Sequence, residues 1–96
     1  MKHELYNAAK DSVLKHTEVD ESMLLNSNKE ECVDARCLLI CYLSKVGMTD
    51  TEIAELTNLT RQCIGKLKAS FDARRMKKMF FILWKRIVNE LELNEK

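Results

Sequence analysis

The stretch that most constrains the fold is GMTDTEIAELTNLTRQCIGKL, residues 47–67, because two short helical patterns meet there with almost no connection. Thr49 precedes the first pattern, and Glu52 follows three positions later. A threonine hydroxyl at this place accepts a hydrogen bond from the backbone amide of the glutamate, whose side chain reaches back, an arrangement called a capping box. The pattern predicts a very short helix over residues 50–57.

The second pattern restarts after a turn of about three residues. Asn58 tolerates a positive φ that most non-glycine residues avoid, and Thr60 is again a residue type that caps helix N-termini. We therefore predict that the next helix begins at Arg61. Apolar or small side chains would face one another across the turn as part of the core: Ile53, Ala54, Leu56, Leu59, Ile64 and Leu67.

The composition favours helices along the whole chain. Its 96 residues include no proline and only two glycines, Gly47 and Gly65. A chain of this length suits one domain with a modest core, because it buries only about two-thirds of the surface that it exposes when unfolded. We predict an all-α fold, a small single helical domain without a large substrate cavity.

Helical periodicity divides this domain, residues 1–96, into three parts. Residues 1–26 form an N-terminal helix, from about Lys2 to His16, and an acidic connection with one turn of helix. Residues 27–70 form a trihelical core, whose first helix starts at a second capping box in SNKE and ends at Gly47. Residues 71–96 are expected to form one long C-terminal helix from Phe71 onward.

The C-terminal helix is apolar around most of its circumference. One stripe contains Met76, Phe80, Leu83, Ile87 and Leu91, and a second contains Phe81, Trp84 and Val88. The run MFFILW is open to three interpretations: a core helix, a dimer interface, or an anchor on a membrane surface. We expect the first stripe to pack on the domain itself, and Phe81, Trp84 and Val88 to form a homodimer interface.

Charge is distributed unevenly along the chain. Residues 1–60 contain six basic and eleven acidic side chains, whereas residues 61–86 contain nine basic side chains and one acidic side chain. A run of charge is most often a solvated face, but this basic block begins at the predicted helix start, Arg61. The asymmetry therefore indicates nucleic acid only where a structural feature of that part of the chain supports it.

The segment DARCLLICYLSKVGMTDTEIAELTNLTRQCIGKL resembles the three-helix DNA-binding core of bacterial helix-turn-helix regulators, of the Trp-repressor and DnaA C-terminal-domain type. The resemblance covers residues 34–71. It departs from the pattern at Asn58, where glycine is usual, and at Thr57, where an apolar residue is common. It lacks the DnaA-type GRDHST sequence, so origin recognition is not implied. It rests on residues at the apolar and small positions: Ile53, Ala54, Leu59, Ile64 and Leu67.

The resemblance implies a sequence-specific transcriptional regulator that binds double-stranded DNA as a homodimer in the cytoplasm of a prokaryote or on its mobile elements. The helix starting near Arg61 would read the major groove. Gly65 would allow close approach to the groove, although packing against another helix explains it equally well. The predicted DNA-binding residues are Thr60, Arg61, Gln62, Gly65, Lys66, Lys68, Arg74 and Arg75, the last four more suited to phosphates. The alternative is a helical protein–protein adaptor that offers its basic face to an acidic partner.

The remaining chemistry of the sequence predicts neither a cofactor nor an enzyme. Cys32, Cys37, Cys41 and Cys63 lack the paired spacing of zinc ligands and read as reduced core residues, with a redox sensor as an alternative. His3 and His16 are expected at the surface, and no catalytic motif appears. The apolar runs fall far short of the ~20 residues that span a bilayer, so we expect an intracellular protein without membrane contact.

Overall fold

The computed structural model describes residues 2–94. Within that range the chain is helical, with seven helices and no strand, which confirms the all-α prediction. The helices are α1 (Lys2–Thr17), α2 (Glu21–Leu24), α3 (Glu30–Lys45), α4 (Asp50–Thr57), α5 (Arg61–Ala69), α6 (Phe71–Arg74) and α7 (Lys78–Asn94). The single turn of α2 lies in the acidic connection where one turn of helix was expected.

The core is organised around α3, which packs against all six other helices. Its residues 37–40 and Leu43 are fully buried. Because consecutive residues point in different directions around a helix, burial of four in a row means that neighbours surround α3. Gly47 then ends this segment with φ +103°, a left-handed conformation that suits glycine.

The two longest outer helices, α1 and α7, pack against each other and against α3. Ala9 and Val13 of α1 are fully buried, as is Ile87 of α7. Phe80 and Leu91 are also buried, so one side of α7 belongs to the core of the domain, as the periodicity of the sequence predicts.

The start of α3 differs from the prediction, because the capping box in SNKE is not formed. The helix begins at Glu30, and the Ser27 hydroxyl accepts a hydrogen bond from the Lys29 amide at 3.1 Å. The reason lies in the buried side chain of Arg36. Its guanidinium donates to the carbonyl oxygens of Leu24 (2.9 Å) and Ser27 (2.7 Å), which holds the chain between α2 and α3 in a turn.

The predicted long C-terminal helix from Phe71 is also wrong, because residues 75–77 break it into α6 and α7. In a continuous helix, Phe71 and Trp84 would be separated by about 20 Å along the axis. Their ring centroids are instead 4.9 Å apart, in an edge-to-face contact. The break folds α6 back onto α7, and it leaves Met76, which was assigned to the core stripe, 82% exposed.

Candidate nucleic-acid interface

Local hydrogen bonds define α4, the following turn and the start of α5 as the sequence predicts. Thr49 and Glu52 form the reciprocal capping box: the Thr49 amide donates to the Glu52 carboxylate (2.9 Å), and the Glu52 amide donates to the Thr49 hydroxyl (3.2 Å). Asn58 adopts φ +65°. The Thr60 hydroxyl accepts from the Cys63 amide at 3.0 Å. These contacts allow only three residues, 58–60, to separate α4 from α5.

Thr57, the polar residue at a commonly apolar position, is buried in this turn and is 5% exposed. Its hydroxyl donates to the Ile53 carbonyl at 2.7 Å and accepts from the Leu59 amide at 3.2 Å. The second bond satisfies a backbone donor beyond the end of α4, where no helical acceptor is available. The departure from the apolar pattern therefore serves the turn.

The outward side of α5, here called the α5 face, consists of Thr60, Arg61, Gln62, Gly65 and Lys66. The side chains of all but Gly65, which is partly covered, are exposed. Ile64 and Leu67, on the opposite side, are buried in the core. The helix thus presents a polar and cationic surface at its N-terminal end.

Intramolecular packing does not require glycine at position 65. A Cβ atom built there meets no atom within 4 Å outside the local helix. The alternative that Gly65 serves close helix packing within the domain is therefore wrong. In a helix interior glycine costs about 0.5–1 kcal/mol relative to alanine, so this residue weakens α5 without a packing gain.

The α5 face continues into an open depression of about 340 Å³ between α5 and α6. Lys66, Ser70 and Arg74 follow one another along it at four-residue spacing, and Thr60, Gln62, Cys63 and Leu67 complete the lining. The Arg74 guanidinium donates to the Ser70 hydroxyl (2.9 Å) and to the carboxylate of Asp34 on α3 (2.6 Å). Sequence reasoning missed Ser70, although its spacing from Lys66 and Arg74 indicates a shared helical face.

The basic block divides into cations with and without carboxylate partners. Lys68 pairs with Asp50 at 2.7 Å, and Arg75 pairs with Asp72 at 3.2 Å. Asp34 holds Lys77 as well as Arg74. Among the described residues, five cations of the block have no carboxylate within 4.0 Å: Arg61, Lys66, Lys78, Lys85 and Arg86. Of the predicted DNA-binding cations, only Arg61 and Lys66 thus keep their full charge available.

The cysteines are free thiols, and two of them are in contact beneath α5. The Sγ atoms of Cys37 and Cys41 lie 3.8 Å apart, and the Cys37 thiol donates to the Leu67 carbonyl at 3.3 Å. The contact lowers the pKa of Cys37 and, together with burial, raises the pKa of Cys41. In the described part of the chain, no three His, Cys, Asp or Glu side chains converge as metal ligands would.

His16, which was expected at the surface, is partly buried where α1 meets α7. Its Nε2 lies 3.2 Å from Glu90, whose carboxylate also accepts from the Ser12 hydroxyl and from Lys15, both at 2.6 Å. The bonds from Lys15 and Ser12 hold the pKa of Glu90 at about 2. Glu90 thus joins α7 to three side chains of α1.

No protein-family model matches the chain, and no curated protein sequence or solved structure matches it significantly. None of the helices between residues 2 and 94 has the length and apolar character needed to cross a membrane.

Proposed function

We propose that this protein is a sequence-specific transcriptional regulator that binds double-stranded DNA. In this proposal α3, α4 and α5 form a trihelical helix-turn-helix core, with α5 lying in the major groove. Two copies act together as a homodimer, and the setting is the cytoplasm of a prokaryote. A dimer would present two α5 helices to the two halves of a two-fold symmetric site, about one helical turn of DNA apart.

The α5 face is the observation that carries the proposal. Arg61 and Gln62 are exposed in the first turn of α5, and neither has a side-chain partner among the described residues. Arginine can donate two hydrogen bonds to guanine, and glutamine can pair similarly with adenine. Gly65 lies on the same face, between Arg61 and Gln62 on one side and Lys66 on the other, with open space where a side chain would be. This arrangement leaves room for the edge of a groove.

The cations around the α5 face would bind the phosphate backbone. Lys66 lacks a carboxylate partner, whereas Arg74 is fixed by Asp34 and Ser70 in the adjacent depression. A cation held in this way loses little side-chain entropy when it meets a phosphate, although its charge is partly neutralised. We assign phosphate contacts to Lys66 and Arg74, and weaker ones to Lys68 and Arg75, which must share their charge with Asp50 and Asp72.

The proposal is tested by selecting bound sequences from random duplex DNA and then measuring the affinity of a selected and a scrambled duplex against salt concentration. We expect enrichment of a preferred sequence and an affinity that falls steeply with salt, because each neutralised phosphate releases counterions. Lack of measurable duplex affinity even at low salt would contradict DNA binding and favour the adaptor alternative. Equal affinity for both duplexes would contradict sequence-specific reading.

A further inference from the structure

The outward side of α7 carries an apolar strip, Phe81 and Val88, that the domain covers only in part. Phe81 is 42% exposed, and Val88, two turns later, is partly exposed on the same side. Trp84 lies between this strip and the core, because it is partly buried and its ring is in edge-to-face contact with Phe71. The strip therefore continues the apolar surface of the domain outward along α7.

A row of charged residues borders the strip at seven-residue spacing. Lys85 and Glu92 lie four positions after Phe81 and Val88, and Lys78 lies three positions before Phe81, so the three residues share one edge of α7. All three are exposed. The row is positive at the beginning and middle of the helix and negative at its end, and Lys85 lies midway between the outer two.

From this pattern we infer that α7 binds α7 of a second copy in antiparallel orientation, with the two-fold axis passing near Lys85. The inference deepens the homodimer of the proposed function and rests on it. In an antiparallel pair, the edge of α7 that carries the charged row lies beside the same edge of the second copy, running in the opposite direction. Lys78 of each copy therefore meets Glu92 of the other. The charges of the row are thereby complementary to a second copy of the same row, and the strip of Phe81 and Val88 is buried between the helices.

A parallel pair does not use these charges. In that orientation the charged edge of one helix faces the opposite edge of its partner. On α7 the opposite edge carries Phe80 and Ile87, which are buried in the core of their own domain. Lys78 and Glu92 would then have no partner across the interface, so the charge pattern favours the antiparallel orientation.

The antiparallel arrangement has one unfavourable feature, which provides a specific test. Near the axis, Lys85 of one copy approaches Lys85 of the other. The Lys85 ammonium lies 5.3 Å from the centre of the Phe81 ring, so it already borders the strip. Replacing it by a neutral residue removes like-charge repulsion. We expect Lys85→Gln to tighten the dimer by roughly threefold, whereas most interface substitutions weaken association.

The decisive experiment is sedimentation of the intact protein without DNA, using the wild type, Lys78→Glu, Glu92→Lys and an equimolar mixture of the two variants. Each single variant places like charges at both outer positions, so we expect its dimer to dissociate about tenfold more readily than the wild type. The mixture restores both opposite pairs in a heterodimer and should associate at least as strongly as the wild type. Arg86→Glu, on another side of α7, is the matched control and should dimerise normally.

Circular dichroism of each variant separates dissociation from misfolding, and the mixture also corrects for the contact that Glu92 makes with Lys45 at 2.7 Å. A wild type that is monomeric at tens of micromolar overturns the inference. Single variants that dimerise normally, or a mixture that associates no better than its components, overturn it as well. Because DNA is absent, any of these results leaves duplex binding by α5 to be judged separately.

Discussion

The cations on and around the α5 face differ in what they can offer to a nucleic acid. Arg61 and Lys66 have no carboxylate partner, whereas Lys68 and Arg75 are already engaged in ion pairs. An exposed ion pair contributes only about 0–1 kcal/mol, so a DNA phosphate can replace the carboxylate as the partner of the cation. Losing the ion pair then offsets part of the attraction between the cation and the phosphate. Arg61 is therefore the residue whose loss should be most informative.

We predict that Arg61→Ala lowers affinity for the selected duplex by about 1–3 kcal/mol and relaxes the sequence preference at one position, because a bidentate base contact is lost. Binding assays on the selected and scrambled duplexes measure both effects. Arg86→Ala, which removes an unpaired arginine from α7, serves as the matched control. Equal weakening on both duplexes would reassign Arg61 to a phosphate, and unchanged binding would contradict docking through α5.

Replacing Gly65 by alanine should have opposite effects on the stability of the protein and on its affinity for DNA. Gly65→Ala should raise the free energy of unfolding by about 0.5–1 kcal/mol, because alanine favours the helix and the added methyl meets open space. The same methyl should weaken duplex binding if α5 lies close to the groove. Urea denaturation and duplex titration measure the two effects. Greater stability with unchanged binding would remove Gly65 from the interface.

At the scale of elements, the accuracy of the sequence predictions depends on whether an element is defined locally. The bounds of α4 and the start of α5 were predicted correctly, because Thr49, Asn58 and Thr60 act within a few residues of themselves. The end of α6 was not predicted, because it depends on the contact between Phe71 and Trp84. No sequence rule for helix termination identifies such a distant contact.

The prediction of where α3 starts was wrong for a similar reason. Ser27 and Glu30 have the correct spacing for a capping box, but the distant Arg36 binds the carbonyl oxygen of Ser27. For the candidate site, the sequence indicated which side of α5 is open, since Ile64 and Leu67 mark the buried side. It could not show which cations are paired, because Asp34 and Arg74 are forty residues apart along the chain.

The turn between α4 and α5 should depend on one hydroxyl group. We predict that Thr57→Val lowers the free energy of unfolding by about 1–2 kcal/mol, because the Leu59 amide loses its acceptor in a partly buried position. Urea denaturation measures this loss. Thr51→Val, at an exposed position of α4, is the matched control and should change stability by less than about 0.5 kcal/mol. Equal effects of the two substitutions would mean that the hydroxyl contributes nothing specific.

At the scale of the whole molecule, the domain is closed by contacts between its first and last helices. α1 and α7 pack along their apolar sides, and the cluster around Glu90 joins them at the surface. The Ser12 hydroxyl and the Lys15 ammonium both reach this carboxylate from residues more than seventy positions away in the sequence. Charge-assisted hydrogen bonds of this kind are stronger than neutral ones, so the cluster should link the stability of the domain to pH.

The pH dependence has a definite sign. The folded structure holds the pKa of Glu90 at about 2, compared with its ordinary value of 4.5. The lowered pKa means that folding favours the ionised carboxylate. Its contribution to stability is therefore fully present above about pH 4.5 and is lost as the pH falls towards 2. Because the Glu90 side chain is 27% exposed, solvent screening limits this contribution, and we expect about 1–2 kcal/mol at neutral pH.

Glu90→Gln tests this linkage, because glutamine retains the size of the side chain but cannot ionise. We predict that the wild type is more stable than the variant at pH 7, and that the difference shrinks progressively between pH 4.5 and 2 as the wild-type carboxylate is protonated. Urea denaturation of both proteins across this range measures the difference directly. Glu55→Gln, at an exposed position of α4, is the control and should change stability by less than about 0.5 kcal/mol. A difference between wild type and Glu90→Gln that stays constant across this range would mean that Glu90 stabilises the contact of α1 with α7 by packing, independently of its charge.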